Sequence, residues 1–175
     1  MAANYYQGIG GVNAEKTYEI FMNCPWGGLN KPNITVDRES DRNSRLPRQN
    51  YLRAAETFML QGDKQKAADL LDKCLENFPD NKIQFDMLMI PFAELYYSID
   101  DIEKGNKVAG RLIEIWADDL RYYKTVKPSF VQQYYKETVD RTIRMLRSLG
   151  QMTREYEQED LAMKADEAIR MYTGK

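Results

Sequence analysis

The chain has 175 residues, of which 43% are hydrophobic and 30% charged, and a formal net charge of −2; this is the composition of an ordinary globular protein long enough for one domain with an ordered extension. It lacks the basic excess that a phosphate backbone demands, which argues against a nucleic-acid partner, and no apolar run approaches the length of about 18 residues that spans a bilayer. With no histidine, it also lacks the commonest general base and metal ligand.

The opening MAANYYQGIGGVNAEK contains no cationic stretch leading into an apolar one, so no secretory signal is predicted. The chain then reads either as cytoplasmic or as part of a longer chain that carries the targeting. The Gly8–Gly11 cluster follows no strand and so forms no nucleotide loop. Asn13 is a good N-cap for AEKTYEIFMN, whose apolar side carries Tyr18, Ile20, Phe21 and Met22. From Cys24 to Arg42, glycines, prolines and polar residues break the helical period, which predicts an ordered loop pinned to the body by Trp26 and Ile34. Within it, Asn33-Ile34-Thr35 matches a glycosylation sequon, a pattern short enough to arise by chance.

Leu52, Ala55, Phe58 and Met59 recur at helical spacing, predicting a helix over 43–61 with Pro47 confined to its first turn. Gly62 stops this helix and Asp63 caps the next, KQKAADLLDKCLENF, which ends before Pro79. A third helix over 83–98 is expected to kink or start late at Pro91. A fourth starts at Asp100–Asp101 and reaches Tyr123, and Lys127–Pro128 breaks the chain after it. A fifth runs from Ser129 to Leu149, ended by Gly150, and a sixth covers 153–172. No segment alternates with period two, so sheet is not expected. The predicted layout is a short helix and packed loop over 1–42, then a helical domain over 43–175.

Self-similarity is the informative feature. LQGDKQKAADLLDKCLENFPD is echoed 38 residues later by YSIDDIEKGNKVAGRLIEIWADD. Tyr51, Ala54, Ala55, Phe58, Gly62, Ala67, Leu71, Cys74 and Pro79 fall where a tetratricopeptide repeat carries its signature. Ala55 and Ala67 are small where two antiparallel helices cross closely, Phe58 and Leu71 fill the space beside the crossing, and Pro79 ends the second helix. In the second unit Ala93, Tyr96 and Gly105 keep the pattern, whereas Asp100 replaces the turn glycine and Ala117 the proline. The helices after Lys127 form a third pair by length and polarity without a legible signature. The competing reading is an irregular bundle with one repeat-like hairpin. The repeats favour an all-α fold of antiparallel hairpins stacked as a tetratricopeptide-like superhelix.

Residues 19–120 also resemble the soluble C-terminal tail of a bacterial multi-pass membrane family related to protein O-mannosyltransferases. The features that carry the likeness are the WGG loop with its following Pro and Val-Asp, the arginine-rich approach to the first long helix, and the Asp-Met-Leu-Met–Pro–Tyr-Tyr helix. The resemblance implies an extramembrane, extracytoplasmic domain of a sugar-transferring protein whose catalytic residues lie upstream, so none is carried over. Without it, the cytoplasmic reading stands.

Candidate sites are few. Arg38, Arg42, Arg45, Arg48 and Arg53 could bind a phosphate or lipid headgroup, but the interleaved Asp37, Glu39 and Asp41 favour local pairing. Asp100–Asp101, Asp118–Asp119 and the Glu157–Asp160 run point about 100° apart from residue to residue, which suits caps and solvated faces better than paired acid and base. Cys24 and Cys74 either form one disulfide or stand as unpaired small hydrophobes, the second favoured. Twelve tyrosines include the pairs Tyr5–Tyr6, Tyr96–Tyr97, Tyr122–Tyr123 and Tyr134–Tyr135, and each of the last three offers one candidate surface aromatic. No catalytic, cofactor or metal set emerges.

The expected interaction surface is the outward face of each unit's first helix: Leu52, Glu56 and Met59 in one, Ile90, Glu94 and Tyr97 in the next. That mix suits a protein or peptide segment carrying a few positive charges. It does not suit a C-terminal carboxylate, because Leu52 and Glu56 stand where chaperone-binding repeats carry lysine and asparagine. Alternatively residues 1–40, with Tyr5, Tyr6, Phe21 and Trp26, fill the groove from within. Functionally the chain reads as a non-catalytic interaction or scaffold module. The alternatives are an acceptor-recognition part of a protein-glycosylating enzyme, or a self-associating oligomerisation domain.

Overall fold

The computed structural model describes residues 13–26, 28–29 and 31–174, together with the backbone of residues 5–6 and 10–11. Apart from a two-residue antiparallel pairing of β1 (Tyr5–Tyr6) with β2 (Gly10–Gly11), the regular structure among these residues is helical, as expected. Gly8 and the side chains of Tyr5 and Tyr6 lie outside the described residues. Contacts divide the chain into two compact units, Met1–Gln84 and Phe85–Lys175.

In the first unit, α1 (Ala14–Asn23) starts where Asn13 accepts a hydrogen bond from the Lys16 amide at 3.1 Å. Next comes α2 (Arg38–Gln61), which begins before the predicted 43, so the expected boundary at 42/43 falls inside it. The reason is Asp37, whose carboxylate accepts from the Ser40 amide at 2.7 Å, while Glu39 and Asp41 sit at the positive end of the helix dipole. Pro47 therefore lies well inside α2 instead of in its first turn. The carbonyl deprived of its donor belongs to Asn43, an exposed residue at which solvent can serve. Gly62, at φ 81°, ends α2, and Asp63 caps α3 (Lys64–Asn77) through the Lys66 amide at 3.1 Å. Tyr51, Ala55 and Phe58 of α2 meet solvent nowhere, nor do Ala67, Leu71 and Cys74 of α3, whose hairpin partner is α2.

Arg48 is buried in this unit, and its guanidinium donates to the carbonyls of Phe78 at 2.9 Å, Ile83 at 2.6 Å and Gln84 at 3.3 Å. One side chain of the arginine-rich segment thus ties the chain leaving α3 to the middle of α2, which is local structural work and not ligand binding. The loop before α2 is pinned as expected. Trp26 Nε1 donates to Tyr51 Oη at 2.8 Å, and Lys82 Nζ donates to the carbonyls of Pro32 and Ile34 at 3.0 and 2.8 Å.

In the second unit the chain makes a 3₁₀ turn (Met87–Met89) before α4 (Ile90–Ser98), so Pro91 imposes the late start and not a kink. Asp101 caps α5 (Ile102–Thr125) through the Lys104 amide at 3.1 Å. After the one-turn α6 (Pro128–Phe130), a five-residue π-helical turn (Val131–Tyr135) leads into α7 (Lys136–Glu155), and α8 (Glu159–Thr173) closes the unit. Here α5 packs against α4, α7 and α8, and α7 pairs with α8. Gly150 does not end a helix. It lies within α7 facing α8, where a Cβ would stand 3.3 Å from that of Ala165 and 3.7 Å from the Ala162 carbonyl oxygen, so it permits a close crossing.

Candidate functional site

The three hairpins share one turn. Gly62, Asp100 and Glu157 all take positive φ, at 81°, 69° and 62°. In each, the following amide bonds back to a carbonyl five residues earlier: Asp63 to Phe58 at 2.9 Å, Asp101 to Tyr96 at 2.9 Å and Gln158 to Thr153 at 2.7 Å. Only glycine adopts this conformation without steric cost, so Asp100 and Glu157 are held in it by the hairpins they join.

Counting from the shared turn puts the third hairpin in register. Ala55, Ala93 and Gly150 occupy one position and Ala67, Gly105 and Ala162 another, all of them buried. The small–small crossing legible in the first two units therefore recurs in α7 and α8, where its signature could not be matched from sequence. Thr153 replaces the aromatic of Phe58 and Tyr96, and a glutamate stands at the left-handed turn.

The same register locates the expected surface residues. On α2, Glu56 and Met59 are half-buried and Leu52 is buried. On α4, Ile90 is half-buried and Glu94 exposed, whereas Tyr97 is only 2% exposed. Leu52 and Tyr97 thus offer little to a partner. For Tyr97 the cause is plain: its ring stacks on Tyr156 at 4.8 Å, its hydroxyl donates to Asn106 Oδ1 at 2.8 Å, and it lies against Gly105. The equivalent positions on α7 are Arg147, Gln151 and Arg154, all exposed. Arg154 is paired with Asp166 and with Glu159 at 3.6 Å. One residue the sequence reading passed over belongs beside Met59: Leu60, 75% exposed, follows directly after the inward stripe and precedes the stop at Gly62.

Helix α1 covers a different side of α2. Tyr18 packs edge-on against Phe58 at 5.7 Å and donates to Asp69 at 2.7 Å, Phe21 lies 4.4 Å from Tyr51, and Lys66 pairs with Glu15 at 2.8 Å. Tyr51 and Phe58 share one helix face, whereas Met59 is turned roughly 80–100° and Glu56 roughly 140–160° away. So α1 packs on the hairpin's aromatic side, away from the flank that bears Glu56 and Met59.

The remaining candidates sort by their surroundings. Cys24 and Cys74 are both free thiols, and burial pushes the Cys74 thiol well up from its ordinary value. Arg42 pairs with Glu39 at 3.4 Å on an exposed surface, in line with local pairing. Asp101 caps a helix and Asp118 pairs with Arg121 at 2.7 Å. Among the described residues no group of three cysteines and carboxylates converges as a metal site would require. Tyr96 is as buried as Tyr97, so that pair supplies no surface aromatic, whereas Tyr122 and Tyr134 are exposed.

A tetratricopeptide-repeat family model matches residues 49–81, which take in the second half of α2, all of α3 and the start of the turn after it. No curated protein and no solved structure matches the chain. The match and the hairpin geometry together describe a tetratricopeptide-like helical fold, an architecture that generally serves protein interaction or scaffolding and not catalysis.

Proposed function

We propose that this chain is a protein-interaction module that receives its partner on the flank of α2 that bears Glu56, Met59 and Leu60. The observation that carries this reading is the flank of α2. There a 75%-exposed leucine and a half-exposed methionine stand beside a carboxylate, on the side of the matched repeat away from α1. Apolar anchors beside a carboxylate suit a helical or extended segment that places apolar side chains and one or two lysines or arginines along one edge. The test is binding of labelled synthetic peptides of that composition, followed by fluorescence anisotropy. Glu56→Lys is expected to weaken the tightest peptide by roughly twofold to fivefold, as a rim charge does. Affinity indifferent to Glu56→Lys and to Leu60→Ser contradicts the reading.

The natural setting we infer is the extramembrane C-terminal part of a glycosyltransferase-like membrane protein. Its support is the sequence likeness through the WGG loop, together with the way Trp26 of that loop is built into the repeat by Tyr51 and Phe78. An upstream reading frame that continues into several long apolar helices supports it. A stop codon directly upstream excludes it.

A further inference from the structure

The segment from Arg121 to Lys136, RYYKTVKPSFVQQYYK, holds four basic residues, no carboxylate and five aromatic rings, in a chain whose net charge is −2. Its rings form one chain of contacts. Tyr122 meets Tyr123 at 5.4 Å, Tyr123 meets Tyr135 at 5.3 Å, and Phe130 meets Tyr134 at 4.6 Å and Tyr135 at 5.9 Å. The π-helical turn makes the last two contacts possible together. In an α-helix a residue five positions on points about 140° away, whereas the wider turn over Val131–Tyr135 brings both tyrosines round to Phe130.

This cluster is displayed instead of being folded inward. Tyr122, Phe130 and Tyr134 are 61%, 47% and 59% exposed, and nearly every residue around them is exposed too. Arg121 and Lys136 are paired with Asp118 at 2.7 Å and Asp140 at 3.0 Å. Among the described residues, Lys124 and Lys127, which stand between the rings in sequence, are paired with no carboxylate; Lys124 donates to the Met171 carbonyl, which leaves its charge uncompensated.

We propose that this corner of the second unit is a peripheral docking site for a bilayer surface containing anionic lipid. Tyrosine settles at the level of lipid headgroups with its ring towards the acyl chains and its hydroxyl towards water, phenylalanine buries its ring at the headgroup–acyl boundary, and lysines near them are drawn by anionic headgroups. A bilayer asks for displayed rings with cations close by, and this segment supplies exposed rings with two lysines between them in sequence that no carboxylate among the described residues neutralises. An acidic polypeptide would instead need recesses to hold its side chains, and these rings stand out from the surface. No helix among the described residues is long and apolar enough to cross the membrane, so the association would be superficial. This inference is independent of the partner flank proposed on α2.

The test is co-sedimentation of the whole chain with phosphatidylcholine vesicles with and without a minority of phosphatidylglycerol. The chain is expected to bind the anionic vesicles, to release as salt is raised, and to lose at least about tenfold in affinity in the Lys124→Glu/Lys127→Glu variant. Phe130→Trp supplies a second readout that tolerates any loss of affinity: the emission of the introduced indole, taken as the difference from the parent chain, should shift to the blue and be quenched by spin-labelled lipid. Three outcomes overturn the proposal: no association with anionic vesicles, association that the double reversal leaves unchanged, or an indole emission in the Phe130→Trp variant that stays solvent-like on bound vesicles. Binding of soluble polyglutamate with no vesicle binding would reassign the patch to an acidic protein and overturn it equally.

Discussion

Gly105 and Gly110 lie on the same helix, and the structure predicts opposite outcomes for the same substitution. In a helix interior, glycine to alanine ordinarily stabilises by about 1 kcal/mol, because the backbone loses less freedom on folding. At Gly105 the new Cβ would stand 2.4 Å from Tyr97 Cε1 and 2.5 Å from its Cδ1. Carbon atoms prefer about 3.5–4.0 Å, so the ring would have to withdraw by more than about 1 Å. It has nowhere to go: one face is stacked on Tyr156 at 4.8 Å and the hydroxyl is bonded to Asn106 at 2.8 Å. Overpacking of this kind costs about 1–3 kcal/mol, here at the upper end, which leaves a net loss of about 2 kcal/mol after the helical gain. At Gly110 the new Cβ would meet only Leu161 Cδ2 at 3.5 Å, an ordinary contact, so the gain of up to about 1 kcal/mol should survive. Differential scanning calorimetry of the two variants should show a fall of about 4–8 °C for Gly105→Ala and a rise of a few degrees for Gly110→Ala. A Gly105→Ala protein as stable as Gly110→Ala would refute the packing described for Tyr97.

Ala67, fully buried where α3 crosses α2, should tolerate extra volume poorly, so Ala67→Leu is expected to destabilise by about 1–3 kcal/mol in urea; an unchanged midpoint would remove the tight crossing from the first repeat. Arg48→Met deprives the carbonyls of Phe78, Ile83 and Gln84 of their shared donor, and a loss of about 3 kcal/mol is expected by the same assay, with proteolysis first appearing after Asn77. On the alkaline side, burial raises the phenols of Tyr51 and Tyr97 from 10.0 to about 12 and pushes the Cys74 thiol up as well. The folded chain thus keeps protons the unfolded chain has released, so their contribution is complete below the unfolded values and lost as pH climbs towards the folded ones. Unfolding free energy should start to fall near pH 8.5 and drop steeply through roughly pH 10–12, and a rise over that range would contradict the burial of these groups.

The fold was legible where local chemistry and tertiary packing agree. Asn13, Gly62, Asp63 and Asp101 each announce a helix end through a cap that needs only neighbouring amides, and each sits where expected. It was not legible where packing overrides the local signal. Gly150 looks like a stop, yet the approach of α8 requires a residue without a side chain there. Glu157 looks like part of a solvated acidic run, yet it holds the left-handed turn that glycine holds in the first hairpin. Pro47 looks like a first-turn residue until the cap at Asp37 is counted. The candidate surface fared likewise. Spacing along the helix identified the flank, but the burial of Tyr97 depends on Tyr156 from the next hairpin, a contact between residues distant in sequence that no local pattern announces.

The claim that the flank of α2 receives a protein partner is tested most directly by methionine-methyl NMR, since the nine methionines include reporters on and off the proposed surface. Met59 lies half-exposed on the flank, and Met163 and Met171 are exposed on α8. During titration with the tightest-binding basic amphipathic peptide, the Met59 methyl resonance should move in step with occupancy while those of Met163 and Met171 stay in place. Movement of the α8 methyls with Met59 unmoved would put the partner elsewhere and contradict the account.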